Sequence, residues 1–321
     1  MVYLDYFEIP KDSWVDYYFN VPEDNEEARI KIIIRENIPD HIGHVTKKTD
    51  CDTWYPWNVL YGRGRRHFAF SDITIFYGGN GSGKSTLLNV IAQKLKLSRK
   101  SRYNKSNSFD DYVDICESGE LDQKAIGAIQ RGQIVTSEDI FDTILQKRKD
   151  NEVREEVRDA LINEFQTIKD KGNSLPKKNL LDPEVFRRFK EIYDIQINKN
   201  NSCSKYIRSK LDAVKKEQSN GETAFNYFVD SIKADSLVLL DEPENSMSAR
   251  WQIELSHYLL GTVLENNCQL IISTHSPFLL SLPGAKIYDL DNTPIKTNRW
   301  YNLENIRYYY QLFKDNEIYF E

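Results

Sequence analysis

Residues 78–86 read Gly78-Gly79-Asn80-Gly81-Ser82-Gly83-Lys84-Ser85-Thr86, a G-x-x-x-x-G-K-[ST] pattern whose meaning depends on what flanks it. On the N-terminal side, Asp72–Tyr77 (DITIFY) is a short β-branched and aromatic run stopped by two glycines, which predicts a strand. On the C-terminal side, Lys84–Leu97 places Leu87, Leu88, Ile91 and Leu95 on one face of an amphipathic helix. Strand, glycine loop and helix together make a phosphate cradle. The glycines let the backbone curl so that successive N–H groups point inward, and the helix start adds its partial positive charge. Lys84 can then reach β- and γ-phosphates and Ser85 can offer its hydroxyl to Mg²⁺, while Gly78, Asn80, Gly81, Ser82, Gly83 and Thr86 complete the cradle.

Moving outward, the last third of the chain alternates strand and helix. Ser236–Leu240, a helix through Trp251–Leu264, Gln269–Ser273 and a turn at Pro283-Gly284 predict βαβ units and a largely parallel sheet. The first of these strands, in the stretch Leu237–Glu242 (LVLLDE), ends in two adjacent carboxylates. Asp241 at the strand tip can hold Mg²⁺, and Glu242 can accept a proton from an attacking water. His275, 34 positions after Asp241, follows the next strand in Thr274-His275-Ser276-Pro277, at the sheet edge where ligands sit in open α/β folds. There it can bond a γ-phosphate oxygen or the attacking water.

A further segment, Gln218-Ser219-Asn220-Gly221-Glu222, lies just upstream, with Ser219 22 residues before Asp241. It opens a predicted helix, Glu222–Ile232, whose Ala224, Phe225, Phe228, Val229 and Ile232 share an apolar face. Ser219 and Gly221 at a helix start make a second anion site. One compact subunit can hardly grip a single triphosphate with both sites. Two copies facing head to tail can, each lending its glycine cradle to one nucleotide and its Ser219 segment to the other.

With these motifs in view, the sequence resembles an ABC-class ATPase of the RecF/SMC/OLD-like group, most closely the small bacterial ATPases labelled "AAA family". The resemblance rests on Ser219-Asn220-Gly221-Glu222, Asp241-Glu242-Pro243-Glu244 and Thr274-His275-Ser276-Pro277, and spans about residues 54–97 and 218–290. It implies an α/β P-loop NTPase fold of ABC-ATPase type, with a mixed central sheet, a helical lobe over 98–220 and an inserted helical hairpin at about 150–200, all in a single ATPase domain. It also implies ATP and Mg²⁺ as ligands, Glu242 and His275 as catalytic residues, and a signature of Ser219, Gly221 and Glu222. Glu244–Ser248 would be a D-loop at the seam of an ATP-dependent homodimer. Asn220 and Glu222 depart from the transporter signature, which argues against a transport ATPase. Gln133 is the candidate for the glutamine that normally touches Mg²⁺, with Gln130 second, and Tyr61 or Phe68 could stack on adenine. The driven process stays open between a protein effector such as a nuclease, in a bacterial defence or toxin–antitoxin module, a DNA-repair or DNA-clamping role, and an ATP-gated scaffold.

The remaining sequence sets bounds. At 321 residues with 40% hydrophobic and 29% charged, the chain can bury a substantial core. No stretch approaches the ~20 apolar residues of a membrane span, and the acidic N-terminus lacks the pattern of a secretory leader, so a cytoplasmic location is expected. Its net charge, 43 − 49 = −6, leaves nucleic-acid contact to local basic patches. Two candidates are Lys94–Lys105, with six basic residues in twelve, and Arg63, Arg65 and Arg66; solvated surface is the expected role of both. Cys51, Cys116, Cys203 and Cys268 have no metal-ligand spacing and read as reduced, buried thiols. Ala28–Arg35 reads as a strand followed by a turn at Ile38-Pro39-Asp40, and Asn151–Lys171 and Asp182–Asn198 as a hairpin of helices turning at Gly172–Asn179, too short for a long coiled-coil arm. The tyrosine-rich tail, Tyr301–Phe320, is expected to pack against the sheet edge rather than dock a partner.

Overall fold

The structure, a computed structural model, describes residues 1–12, 55–106, 109–170, 205, 207 and 219–320. Its first half contains β1 (Tyr6–Glu8), α1 (Trp57–Leu60), β2 (His67–Ala69), β3 (Ile73–Tyr77), α2 (Lys84–Lys94), α3 (Phe109–Ile115), β4 (Glu117–Ser118), α4 (Gln123–Arg131), β5 (Gln133–Thr136) and α5 (Ser137–Asp170). There follow α6 (Asn220–Ser231), β6 (Leu237–Asp241), α7 (Ala249–Leu264), β7 (Gln269–Ser273), α8 (Pro277–Leu280), β8 (Lys286–Asp289), β9 (Lys296–Asn298) and α9 (Glu304–Asp315). The chain divides into two compact units, Met1–Phe141 with Asn220–Glu321, and Asp142–Ser219.

The first unit is built on a six-stranded sheet of order β5-β6-β7-β3-β8-β9. Five strands run parallel and β9 closes the edge antiparallel to β8. Parallel strands are covered on both faces, and β3 and β7 are accordingly buried along their whole length, as is β6 up to Leu240. The path β6–α7–β7 moves along the sheet in one direction, and the path from β3 through α2 to β5 moves in the other. Right-handed crossovers therefore place α2 and α7 on opposite faces. α2 packs on β6 and β7, and α7 on α8 and α6. A second sheet, β2-β1-β4, is antiparallel.

The fully buried Gln269 opens β7 and ties the N-terminus to the main sheet. Its Oε1 accepts from the backbone N–H groups of Tyr3 (2.9 Å) and Leu4 (2.8 Å), and its Nε2 donates to the carbonyls of Leu4 (3.0 Å) and Ser71 (3.2 Å). Every polar atom of the carboxamide is thus used, which is the condition for burying it.

Several sequence expectations need correction. The helix expected from Asn151 begins at Ser137, because Glu138 and Asp139 favour a helix start and Ile140 and Ile144 extend the buried face upstream. The tail departs further: Leu303 and Ile306 are buried, but its tyrosines stay in solvent. In the basic stretches Lys96, Lys100, Arg102 and Lys105 are exposed as expected, while several cations also meet the protein's own groups. Arg99 donates to Asn89 Oδ1 at 2.9 Å and lies 3.9 Å over the Tyr103 ring, Lys105 pairs with Asp110 at 2.7 Å, and Arg66 with Glu8 at 2.8 Å. Cys116 and Cys268 are free and buried as expected, and burial raises the Cys116 thiol above the usual range, which makes it inert. The expected strand Ala28–Arg35 with its turn, the helix Asp182–Asn198, the turn Gly172–Asn179, and Cys51, Cys203 and Gln218 lie outside the described residues. Among the described residues no helix is long and apolar enough to cross a membrane.

Candidate functional site

Strand register sets the site. Reading across the parallel strands, Thr136 is level with Asp241, Asp241 with Ser273, and Ser273 with Phe76, so β5, β6, β7 and β3 end in one row. Each chain turns away from the sheet there, and the side chains just beyond the row converge.

The glycine loop follows β3. A Cβ at Gly78 would stand 2.6 Å from Ser82 Oγ, so the loop can fold this tightly only on glycine. Gly83 ends it at φ +98°, the left-handed conformation from which α2 starts. Lys84, buried at 4% exposure, folds back over the loop and donates to the carbonyls of Gly78 (2.8 Å) and Gly79 (3.2 Å). Asn80 and Gly81 are exposed at the tip, and Thr86 is buried on the first turn of α2. Ser82 Oγ is buried with no hydrogen-bond partner, an orphan acceptor and donor inside the cradle. An arriving phosphate would satisfy it, so the loop fits a nucleotide on its own geometry.

Beside the loop, Ser85 Oγ donates to Asp241 Oδ1 at 3.0 Å, and Ser273 Oγ donates to the same oxygen. Burial pushes the Asp241 carboxyl up in pKa, and the Ser273 and Ser85 hydroxyls oppose that. These are hard oxygen donors, few in number, as Mg²⁺ prefers when it keeps waters and phosphates as its other ligands. Among the described residues no group of three or more His, Cys, Asp or Glu could hold a metal without such help.

Glu242 adopts φ +48°, a left-handed conformation unusual for a non-glycine residue, which turns its carboxylate back over the row. Its Oε1 lies 3.5 Å from His275 Nε2 and 3.7 Å from Lys84 Nζ, and its Oε2 accepts from Asn245 Nδ2 at 3.1 Å. His275, Asn245 and Lys84 together hold the carboxyl down, to about 2, against partial burial. His275 Nε2 is buried and has no well-formed hydrogen bond, which leaves it ready for another acceptor. Its backbone is fixed by Glu244, whose Oε1 accepts from the N–H groups of His275 (2.6 Å) and Ser276 (3.1 Å). The Tyr77 ring stands edge-on to it at 6.4 Å, and the Tyr77 hydroxyl accepts from Asn305 N at the start of α9.

The structure thus brings Ser85 within hydrogen-bonding reach of Asp241, and Lys84 and His275 within ion-pair reach of the adjacent Glu242. It does not bring Gln133 to them. Gln133 opens β5 level with Val238, three residues before the row, and its Nε2 donates to Ser231 O at 2.8 Å. The end of β5 carries Thr136 instead, bonded through Oγ1 to Ser101 at 2.9 Å. Gln130 precedes Gln133 on α4 and is exposed. Phe68 is 1% exposed and locked edge-on against Phe76 and Tyr288, so it is a core residue, while Tyr61 is 46% exposed.

Helix α6 runs alongside α7. Gly221 sits so close to Trp251 that a Cβ would meet its Cδ1 at 2.5 Å, Phe225 lies tilted against Trp251 with ring centroids 5.4 Å apart, and the Tyr258 hydroxyl donates to Val229 O at 3.4 Å. Because α7 leaves the sheet at the row end of β6, α6 also starts toward that edge and ends, at Ser231, beside Gln133 at the opposite one. Gly221 is buried and Glu222 half-buried at that start; Ser219, the last residue of the second unit, is exposed.

Sequence reasoning missed Ser273 and Asp291, and it read Glu244 as part of a D-loop without its role in holding the backbone of His275 and Ser276. Both Asp291 carboxylate oxygens accept from Gly79 N, at 2.8 and 2.9 Å. The signal for Ser273 was present, since a polar residue ending an apolar strand level with Asp241 has to be used by something. Nothing local marks Asp291.

A strand, a glycine loop over a buried lysine, and a neighbouring strand ending in a carboxylate that meets the loop's serine define a P-loop NTPase domain. The chain belongs to the family described as "AAA domain, putative AbiEii toxin, Type IV TA system", whose model matches residues 73–281. No curated protein matches it by sequence. Among solved structures, the ATP-binding cassette MJ0796, in a dimeric post-hydrolysis state with ADP and Pi, is similar at 14% identity and a TM-score of 0.34, over 74% of this chain and 90% of that one. The Smc head domain in the complex with ScpA derived from Pyrococcus furiosus is similar at 14% identity and a TM-score of 0.35, over 76% and 95%.

Proposed function

We propose that this chain is a single-domain, ABC-class ATPase that hydrolyses ATP with Mg²⁺, dimerises head to tail around two nucleotides, and uses the cycle to switch a protein effector such as a nuclease in a toxin–antitoxin or anti-phage defence module. The observation that carries the reading is the convergence of Lys84, Glu242 and His275 beside the Ser85–Asp241 pair at one sheet edge. The family description, which names a toxin–antitoxin system, supports the choice of process. Residues 98–220, with a hairpin at about 150–200, serve as the helical lobe.

In this reading Lys84 leaves the carbonyls of Gly78 and Gly79 for phosphate oxygens. Ser85 and Asp241 would hold Mg²⁺, which would supply positive charge against that developing on the phosphates. Glu242 takes the proton of the attacking water. At about 2 its carboxyl is a weak base, but Lys84 turning to the phosphates and a polyanion alongside both raise it toward useful basicity. The unsatisfied His275 Nε2 donates to a γ-phosphate oxygen.

Dimerisation is supported by the placement of α6. It starts toward the same edge as the glycine loop, but on the α7 face, whereas α2 lies on the other face. Strand β7 also separates β6 from β3 in the sheet. A second copy facing the first brings such a helix start to the far side of each nucleotide, where Ser219, Gly221 and Glu222 close it in. Glu242→Gln should keep ATP binding and lose about 10²–10⁴-fold in turnover, while Lys84→Ala should lose nucleotide binding. Full turnover by Glu242→Gln would show that another group is the base.

A further inference from the structure

The register of β3 against β8 delivers a carboxylate to the glycine loop. Tyr77 is level with Asp289 in this parallel pair, so two residues further along each chain Gly79 comes opposite Asp291. Leu290 N donates to Tyr77 O at 2.8 Å and keeps the chains side by side past the strand ends. Asp291 is itself held. Its N–H donates to Oδ1 of the buried Asp289 at 3.2 Å, and Asp289 Oδ2 accepts from Asn292 Nδ2 at 2.7 Å and from Asn298 Nδ2 at 3.3 Å. An ordered turn thus presents a carboxylate whose two oxygens both accept from one donor, Gly79 N, at 2.8 and 2.9 Å.

That N–H belongs to the Gly78–Gly79 peptide, and the carbonyl of the same peptide receives Lys84 Nζ at 2.8 Å. One peptide group is therefore clamped between an anion at its N–H end and a cation at its C=O end. These are the signs its dipole favours, and each bond polarises the group so as to strengthen the other. The clamp sits where the chain is otherwise least restrained, since Gly78, Gly79, Gly81 and Gly83 lose more conformational freedom on ordering than any other residue type would. When Lys84 turns to phosphate oxygens, the carbonyl end of the clamp is released and Asp291 remains.

We propose that Asp291 is a positioning residue for nucleotide binding, holding the first peptide of the glycine loop so that the cradle is already curled when phosphates arrive and stays curled after Lys84 leaves Gly78 O. The inference rests on the nucleotide reading given above. Asp291 acts through Gly79, and what it supplies is an acceptor oxygen. Ordering a loop beforehand lowers the cost of binding, so its loss shows in affinity and leaves the chemical step, carried by Glu242 and His275, as it was.

The test compares Asp291→Ala, which removes the acceptor, with Asp291→Asn, whose Oδ1 can still accept from Gly79 N. The readouts are calorimetric binding of ADP, steady-state ATPase kinetics, thermal unfolding, and hydrogen exchange of the glycine loop without nucleotide. Asp291 is exposed, so the effect expected is that of one screened bond. Asp291→Ala should raise the Kd for ADP and the KM for ATP by about three- to tenfold, with kcat within about twofold of the parent's. Its melting temperature should stay the same and its loop should exchange faster, while Asp291→Asn should return affinity and exchange to parental values. Parental Kd and KM in Asp291→Ala, a fall in kcat at constant KM, or an Asp291→Asn chain as weak as Asp291→Ala would each overturn the proposal. Lys84→Ala tells this failure from that of the wider reading: if the parent binds nucleotide and Lys84→Ala does not, the glycine cradle stands whatever the Asp291 variants do. A parent that binds no nucleotide overturns both.

Discussion

Ser273 gives the most discriminating test of how Asp241, the carboxylate proposed to hold Mg²⁺, is held. It is fully buried at the end of β7, and its hydroxyl donates to Asp241 Oδ1, the oxygen that also receives Ser85. Ser273→Ala deletes one hydrogen bond to an ionised, buried carboxylate, a loss of about 1.5–3 kcal/mol. Asp241 must then be ionised and oriented with one hydroxyl fewer, so the Mg²⁺ concentration for half-maximal ATPase activity should rise by about 10- to 150-fold. The substitution also removes the bond that Ser273 Oγ accepts from Glu242 N at 3.2 Å, but the same N–H keeps its bond to Ser273 O at 3.0 Å, so the backbone changes little. The pH profile moves in a defined direction as well. Burial already raises the Asp241 carboxyl, and losing a hydroxyl that lowers it raises it further, so the acid limb of activity should shift to higher pH. The assay is steady-state ATPase against Mg²⁺ at several pH values, with thermal unfolding as a control. A variant that melts like the parent and shows the same Mg²⁺ dependence would refute the assignment.

Further expectations concern charge and packing. Glu242, held at about 2 in the folded protein against an ordinary value of 4.5, stabilises the fold above pH 4.5 and loses that contribution as pH falls through 2; Glu242→Gln should therefore melt lower than the parent at pH 7, with the gap narrowing between pH 4.5 and 2, and a gap constant with pH would contradict it. Gln269→Leu strands the N–H groups of Tyr3 and Leu4 in the interior, at about 1–3 kcal/mol each, and should lower Tm by several degrees while leaving kcat at low temperature unchanged, since Gln269 lies at the end of β7 away from Ser273. An unaltered melting curve would show that this carboxamide does not secure the N-terminus.

Which parts of the structure could be read from sequence follows from how local the causes are. Gln269–Ser273 reads correctly to the residue, because five buried residues flanked by turns leave little choice, and Lys84 opens α2 as its glycine loop demands. The positions of Lys84, Ser85, Asp241, Glu242 and His275 along one sheet edge are equally legible, since each follows a strand or glycine signal in its own neighbourhood. Gln133 misled because a glutamine near a strand looks usable until register is known, and register places it three residues short of the row. β1, β2 and β4 are two or three residues long and gain their identity only by pairing with one another, so no periodicity announces them. Asp291 reaches Gly79 across 212 positions, a contact made by the fold rather than by any motif. The tail inverted a sound default: scattered aromatics usually serve burial, but here they face solvent.

The claim that a nucleotide is shared between two copies is tested most directly by mixing two crippled chains. Lys84→Ala lacks a working glycine cradle, and Ser219→Arg lacks a working signature. Alone, each should be inactive, because every site in its dimer carries a lesion. Mixed in equal amounts, half the dimers pair one of each, and in these one site is intact and the other doubly broken, so activity should recover to about a quarter of the parent's. If the mixture stays as inactive as its components, or if Ser219→Arg alone turns over ATP at the parental rate, each chain works its own site and the shared-nucleotide account is wrong.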